Sequence, residues 1–207
     1  MTNLQKRVLT SFIALPLSIF FVVKGGYILI FFLTLIFFAG IYELLSAFKK
    51  IKSILILSLI LILSLLSIYY LKNEKSELLL YLAIGVTISS DIGGYVFGKI
   101  FKWKKLTKIS PKKTISGVFG SYFFSIIFLF IWSEFYSSTP HFQIKAFLIT
   151  IIFSTVAQAG DIIISYFKRL SKVKHTGKII PGHGGLLDRI DGMIFAFPSS
   201  YLIFKIL

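Results

Sequence analysis

Apolar residues run along this chain in stretches of membrane length, broken at short intervals by clusters of lysine. About 20 apolar residues cross a bilayer core of roughly 30 Å. On that measure the pattern predicts helices over residues 8–23, 27–48, 53–71, 78–98, 115–136, 145–167 and 190–206. The first follows Lys6 and Arg7 as a signal sequence would, but the run from Val8 to Val23 has no small-residue cleavage site before Lys24 and reads as a retained span. The expected fold is an all-α polytopic membrane protein of about seven transmembrane helices. Its plain apolar spans occupy 1–76, and the motif-bearing region occupies 77–207.

The basic residues orient it. A cytoplasmic N-terminus puts Lys6, Arg7, Lys49, Lys50, Lys52, the seven lysines from Lys99 to Lys113, and Lys168, Arg169, Lys172, Lys174, Lys178 and Arg189 inside. Lys24, Lys72, Lys75, Lys145 and Lys205 are left outside, and the positive-inside rule selects this arrangement.

Composition agrees with the pattern. The chain is 56% hydrophobic, 17% aromatic and 15% charged, with a mean hydropathy of +0.87, too apolar for a soluble domain of this size. A net charge of +15 points to anionic headgroups or phosphorylated substrates as partners. Nucleic acid is not among them, because membrane-length apolar runs interrupt the basic residues instead of leaving one soluble face. With no cysteine, disulfides, thiolate nucleophiles and thiolate-bound metals are excluded.

The chain's four aspartates, Asp91, Asp161, Asp188 and Asp191, all lie where an apolar segment meets a basic one. An ionised carboxylate at such a depth costs several kcal/mol, on the order of 3 or more, unless it is paired or metal-bound. The topology places Asp91 and Asp161 at one depth, about 10 Å below the cytoplasmic headgroups at 1.5 Å per residue. Asp188 and Asp191 enter the last span from the same side, so all four are expected to face one cytoplasm-open polar cavity. A shift of 70 residues aligns Asp91 with Asp161, Lys102 with Lys172 and Pro111 with Pro181, the pattern of a parallel internal repeat.

Around these acids lie three motifs. Ser89 to Phe101 carries Gly93 and Gly94, which allow close helix approach beside Asp91. Ser110-Pro111-Lys112-Lys113-Thr114 opens the fifth span and sets donors and charge near a helix N-terminus, an arrangement that binds phosphate. From Gly160 to Asp191, Asp161 and Ser165 share a helix face, Lys168 and Arg169 mark the membrane exit, and Pro181 to Gly185 form a turn whose amides can wrap phosphate oxygens. Asp188 and Asp191, on one helical face, suit with Asp161 an oxygen-loving cation such as Mg²⁺. His183 reads as a hydrogen-bonding residue of the turn and His175 as solvated. Glu43 is expected to pair with a neighbouring lysine, and Glu74 and Glu77 to lie in an exposed outer loop.

Ser165-x-x-Lys168-Arg169, Lys174-x-x-Gly177 and Pro181-Gly182-His183-Gly184-Gly185-x-x-Asp188-Arg189-x-Asp191 together resemble the C-terminal signature of the phosphatidate cytidylyltransferase (CDP-diacylglycerol synthase) family. Asp91-x-Gly93-x-Tyr95 and the Ser110–Thr114 segment resemble it too, so the likeness covers about residues 89–192. His175 and Ser116 stand where the family usually has acids, and the chain is shorter than typical members at its N-terminal end.

The resemblance implies a nucleotidyltransferase of the bacterial inner membrane, with its active site facing the cytoplasm. Its partners are CTP, phosphatidate and membrane lipids, its cofactor is Mg²⁺ with a second, monovalent cation, and whether two copies form a homodimer is left open. On this reading Asp161 and Asp188 are the main metal ligands, and Asp91 and Asp191 complete or orient the shell. Lys168, Arg169 and Arg189 serve catalysis. Ser110, Lys112, Lys113, Thr114, Ser165, Lys174, His183, Gly184 and Gly185 serve phosphate binding. The competing reading is an ion-coupled transporter with Asp91 and Asp161 at one depth, which leaves the glycine turn without a role.

Overall fold

The computed structural model describes residues 3–74, 76–136, 144–180, 182 and 184–206, and His183 and Pro181 fall outside them. Apolar sequence with its backbone polar groups satisfied internally gives helices: α1 (Asn3–Lys24), α2 (Gly26–Ala47), α3 (Ile51–Asn73), α4 (Glu77–Phe101), α5 (Ile115–Tyr136), α6 (Ile144–Leu170), α7 (Leu187–Ile190) and α8 (Met193–Ile206). Five of them, α2 to α6, are long and apolar enough to cross a membrane. Their outward faces carry large bare apolar side chains such as Phe38, Leu59, Phe123 and Ile152, as lipid contact requires. This is a multi-pass membrane protein.

The two remaining spans of the sequence reading are shorter here. The apolar part of α1 is Phe12–Lys24, and α8 has 14 residues. Asp191, between α7 and α8, keeps right-handed helical dihedrals (φ −56°, ψ −41°).

Glycines set the tightest seam. A Cβ on Gly93 would lie 2.1 Å from the Gly120 carbonyl oxygen, and one on Gly120 would lie 2.4 Å from that of Gly93, so α4 and α5 pack backbone to backbone as Gly93 suggested. Buried hydroxyls knit the interior: Ser121 Oγ donates to the Ser90 carbonyl at 2.8 Å, and Ser90 and Ser154 hydroxyls meet at 3.0 Å. Leu80, Val86, Phe153 and Phe197 centre one apolar cluster, and Leu44, Leu61, Ile164 and Leu187 centre another beneath the α6–α7 loop.

These contacts fix the register. Gly93 against Gly120 and Gly98 against Thr114 make α5 antiparallel to α4. Tyr122 on Thr155 and Lys113 on Asp161 make α6 antiparallel to α5. Helices α4 and α6 are therefore parallel. With Ser90 opposite Ser154, Asp161 lies six residues further along than Asp91, about 9 Å at 1.5 Å per residue. The expectation of one depth is corrected: equal spacing to the exit lysines does not give equal depth when α6 projects further than α4.

The internal repeat has a conformational counterpart. Among the described residues, Lys102 (φ 50°) and Lys172 (φ 56°) are the non-glycine residues in the left-handed region, and they are the pair that the 70-residue shift aligns. That conformation costs a side-chain-bearing residue about 1–2 kcal/mol, and both lysines take it where the chain leaves a helix, as two independent helix ends also do. At the opposite end of the bundle, Lys72 pairs with Glu77 at the α3–α4 turn, so Glu77 is not simply exposed.

Candidate active site

The basic residues after α4 and α6 build two adjoining loops, 102–114 and 171–186. Each is closed by an isolated antiparallel bridge, Lys105 with Thr114 and Ile180 with Gly184. Arg169 ties them together, its Nε reaching the Ile109 carbonyl at 3.5 Å and its Nη1 the Val173 carbonyl at 3.3 Å.

In the first loop, Thr114 caps α5: its hydroxyl accepts the Gly117 N–H at 3.1 Å and meets the buried Ser116 hydroxyl at 3.0 Å. Ser110 is half-buried, with its backbone N–H on Thr107 Oγ1. Lys112 is exposed, while Lys113 turns inward to Asp161 Oδ2 at 2.7 Å and the Gln158 carbonyl at 3.1 Å. Ser165 Oγ donates to the other Asp161 oxygen at 3.3 Å. Asp161 is thus bracketed by one residue from each loop's own motif.

Gly160 then admits the last element. A Cβ there would lie 3.0 Å from the Asp191 carbonyl oxygen and 2.6 Å from the Phe195 ring, so Asp191 comes in beside Asp161. The Asp191 carboxylate accepts the Gly192 N–H at 2.9 Å. Asp91 and Asp161 repel through space and Asp191 feels both, while Lys113 and Arg189 attract Asp91. The structure brings Asp191 beside Asp161, and Asp91 lies within range of their charge.

Asp188 is placed differently. Its Oδ1 accepts from buried Lys168 Nζ at 2.8 Å, and its Oδ2 accepts the backbone N–H groups of Thr176 at 3.0 Å and Gly185 at 3.2 Å. Burial disfavours this carboxylate, but the Lys168 hydrogen bond and charge, with the two N–H groups, outweigh it and hold its pKa below the usual aspartate value. His175 Nδ1 stands 3.3 Å from Asp188 Oδ2, so this exposed histidine does more than meet solvent. Lys174 is exposed, and Gly184 takes φ 92° at the bridge.

One residue was misread. Glu43 is wholly buried and, among the described residues, is not seen to pair with a lysine. It accepts from Thr176 Oγ1 at 3.0 Å, the Leu186 N–H at 2.7 Å and the Leu187 N–H at 2.9 Å. The criterion that singled out the aspartates, an acid inside an apolar run, applied to it equally.

A recess of about 420 Å³ opens between the end of α2 and the second loop, lined by Ser46, His175, Thr176, Lys178, Gly184 and Arg189 among others. The four aspartates are not among the residues that line it.

The donor chemistry here, carboxylate oxygens brought together with Lys113 as the cation paired to Asp161, suits Mg²⁺. Among the described residues no three acidic or histidine side chains stand close enough to share an ion. The fit is one of chemistry and excess negative charge, with Lys113 holding the counter-ion position.

Comparison with known proteins bears on this arrangement. The sequence model of the cytidylyltransferase family matches residues 45–207. The chain belongs to this family. A protein of Staphylococcus epidermidis named phosphatidate cytidylyltransferase is 39% identical over 132 residues, covering 62% of this chain and 50% of the relative. One of Rickettsia typhi with the same name is 36% identical over 147 residues, 66% of this chain and 62% of its own. One of a Synechocystis strain is 36% identical over 128 residues, 60% and 42%. The chain thus spans about half the length of the curated relatives it matches. The family match begins inside α2, well ahead of the boundary at 76 that the motifs suggested. None of these comparisons supports the transporter reading, and the unequal depths of Asp91 and Asp161 remove its geometric motive.

Proposed function

We propose that this protein transfers a cytidylyl group from CTP to phosphatidate, releasing pyrophosphate. A phosphate oxygen of phosphatidate attacks the α-phosphorus of CTP, and the bond from that phosphorus to the β-phosphate bridge breaks, its electrons leaving with pyrophosphate. Both reactants are polyanions, so the barrier is electrostatic before it is anything else. Phosphatidate is already ionised at neutral pH, and the reaction asks for no strong general base.

The observation that carries this reading is the meeting of Lys113, Asp161 and Asp191, with Lys168 set by Asp188, at the lysine-rich end of a membrane bundle of the cytidylyltransferase family. Mg²⁺ held by Asp161 and Asp191, with Asp91 adding negative charge from further along α4, would neutralise charge on the phosphates. Lys112, Lys113, Arg169 and Arg189 draw in the triphosphate and the lipid phosphate. Asp188, with both oxygens already taken by protein donors, aims Lys168 and orders the glycine turn.

The same reading has seven spans, with α1 and α8 in the first and last, the N-terminus in the cytoplasm of a bacterial cell, and the site on that side. The excess of basic residues at the loop end supports the orientation.

The experiment is transfer by purified protein in detergent from CTP labelled at the α- or the γ-phosphorus. Label from the α position is expected in the lipid product, and label from the γ position in pyrophosphate. γ-Label entering lipid, or no lipid label from folded protein, would refute the reading.

A further inference from the structure

Two carboxylates grip the second loop from opposite sides. Asp188 takes the N–H groups of Thr176 and Gly185, while Glu43 takes the Thr176 hydroxyl and the first two N–H groups entering α7. Glu43 belongs to α2, two residues before the stretch that the family model matches. Every contact it makes is with a donor, which suits the ionised form, an acceptor only.

Glycine spacing in the second loop follows from this grip. A Cβ on Gly177 would lie 2.7 Å from Glu43 Oε1, and one on Gly185 would lie 2.6 Å from Oε2. Both positions close on the carboxylate so tightly that a methyl group has no room. Tightness has a consequence beyond the loop, because the turn that Glu43 holds carries Gly185, whose N–H sets Asp188, and Asp188 sets the buried Lys168.

We propose that Glu43 is a positioning residue for cytidylyl transfer: a buried anion reaching from α2 that fixes the 176–187 turn and, through Asp188, the aim of Lys168. It touches neither substrate. The inference rests on the function proposed above. Its charge matters as well as its shape, since an amide would turn a donor toward the Thr176 hydroxyl or the α7 N–H groups and leave one of them unpaired.

Full-length protein in detergent tests it with two readouts. Trypsin cleavage at Lys172, Lys174 and Lys178 reports local opening of the second loop, and cleavage at Lys104, Lys105 and Lys108 in the first loop is the internal control. Glu43→Gln is expected to speed cleavage in the second loop by about tenfold and leave the first unchanged. It is also expected to lower kcat by about 100-fold with KM for CTP nearly constant, the pattern of lost transition-state positioning. Glu43→Asp, which keeps the charge, should recover part of both.

Should Glu43→Gln not fold, Gly177→Ala decides, because it leaves Glu43 in place and pushes on its carboxylate. It should reproduce both effects, and Glu43→Ala combined with Gly177→Ala should be less impaired than the two single changes multiplied together. Wild-type turnover in both Glu43→Gln and Gly177→Ala, or lost turnover without faster cleavage of the second loop, would overturn the proposal. Absence of transfer by the wild-type protein would instead strike the proposed function, while the cleavage contrast would still test the grip.

Discussion

The loop leaving α4 and the loop leaving α6 begin alike, each with a lysine in the left-handed region, Lys102 and Lys172, and each closed by a single β-bridge before the next helix. They are then held by different means. From 102 to 114 the chain has no acid, most of its lysines are exposed, and its order comes from backbone hydrogen bonds such as Leu106 N–H to Lys113 O at 2.8 Å. From 171 to 186 it is gripped by Asp188 and Glu43, both from other elements. A cation display can be loose, because charge acts over a Debye length of about 8 Å. A turn that aims one buried lysine cannot, and the two loops are held accordingly.

The sharpest way to break this contrast is to remove the charge that organises the second loop. Asp188→Asn leaves Lys168 buried beside a neutral partner and is expected to cost about 3–5 kcal/mol of stability, with loss of transfer. Adding Lys168→Met should return most of the melting temperature and none of the turnover. Lys105→Met or Lys108→Met in the first loop should stay within about 0.5 kcal/mol. Melting in detergent measures all four variants, and an Asp188→Asn protein as stable as wild type would show that the second loop does not depend on its anion.

Acid should separate the loops without mutation. The Asp188 pKa is held below its ordinary value, so its contribution is complete above about 3.9 and is lost as pH falls through the lower, folded-state value. Hydrogen-exchange protection of the Thr176 and Gly185 amides should therefore be level from pH 7 to about 5, once corrected for intrinsic rate, and fall only below about 3.9. Leu106 and Ile115 N–H, bonded to backbone carbonyls, should show no such step. Protection at Thr176 lost already near pH 5 would contradict the assignment. A smaller effect is expected at the Thr114 cap that ends the first loop: Thr114→Ala should cost about 1 kcal/mol and Thr114→Ser almost nothing.

Much of the frame was legible because helices in lipid are written in long apolar runs, and the five longest were found within a few residues. Gly93 was also legible, since its only physical use there is close approach. Depth was not. Counting from Lys99 and Lys168 made Asp91 and Asp161 level, whereas the Ser90–Ser154 contact, a tertiary pairing with no local signal, sets them about 9 Å apart. Among the site residues, Asp161, Asp191 and Lys113 were gathered by type and spacing. Asp188 was read as a ligand because sequence shows a carboxylate and not the three donors bonded to it. Glu43 was missed because its partners lie more than 130 residues away along the chain.

The central claim is that the carboxylates beside the second loop carry the chemistry and the first loop's lysines supply attraction. Label transfer from α-labelled CTP to phosphatidate in Asp161→Asn tests it most directly. The account predicts a membrane-inserted, folded protein whose kcat has fallen by about 100-fold or more. Turnover near the wild-type value in that variant would contradict it.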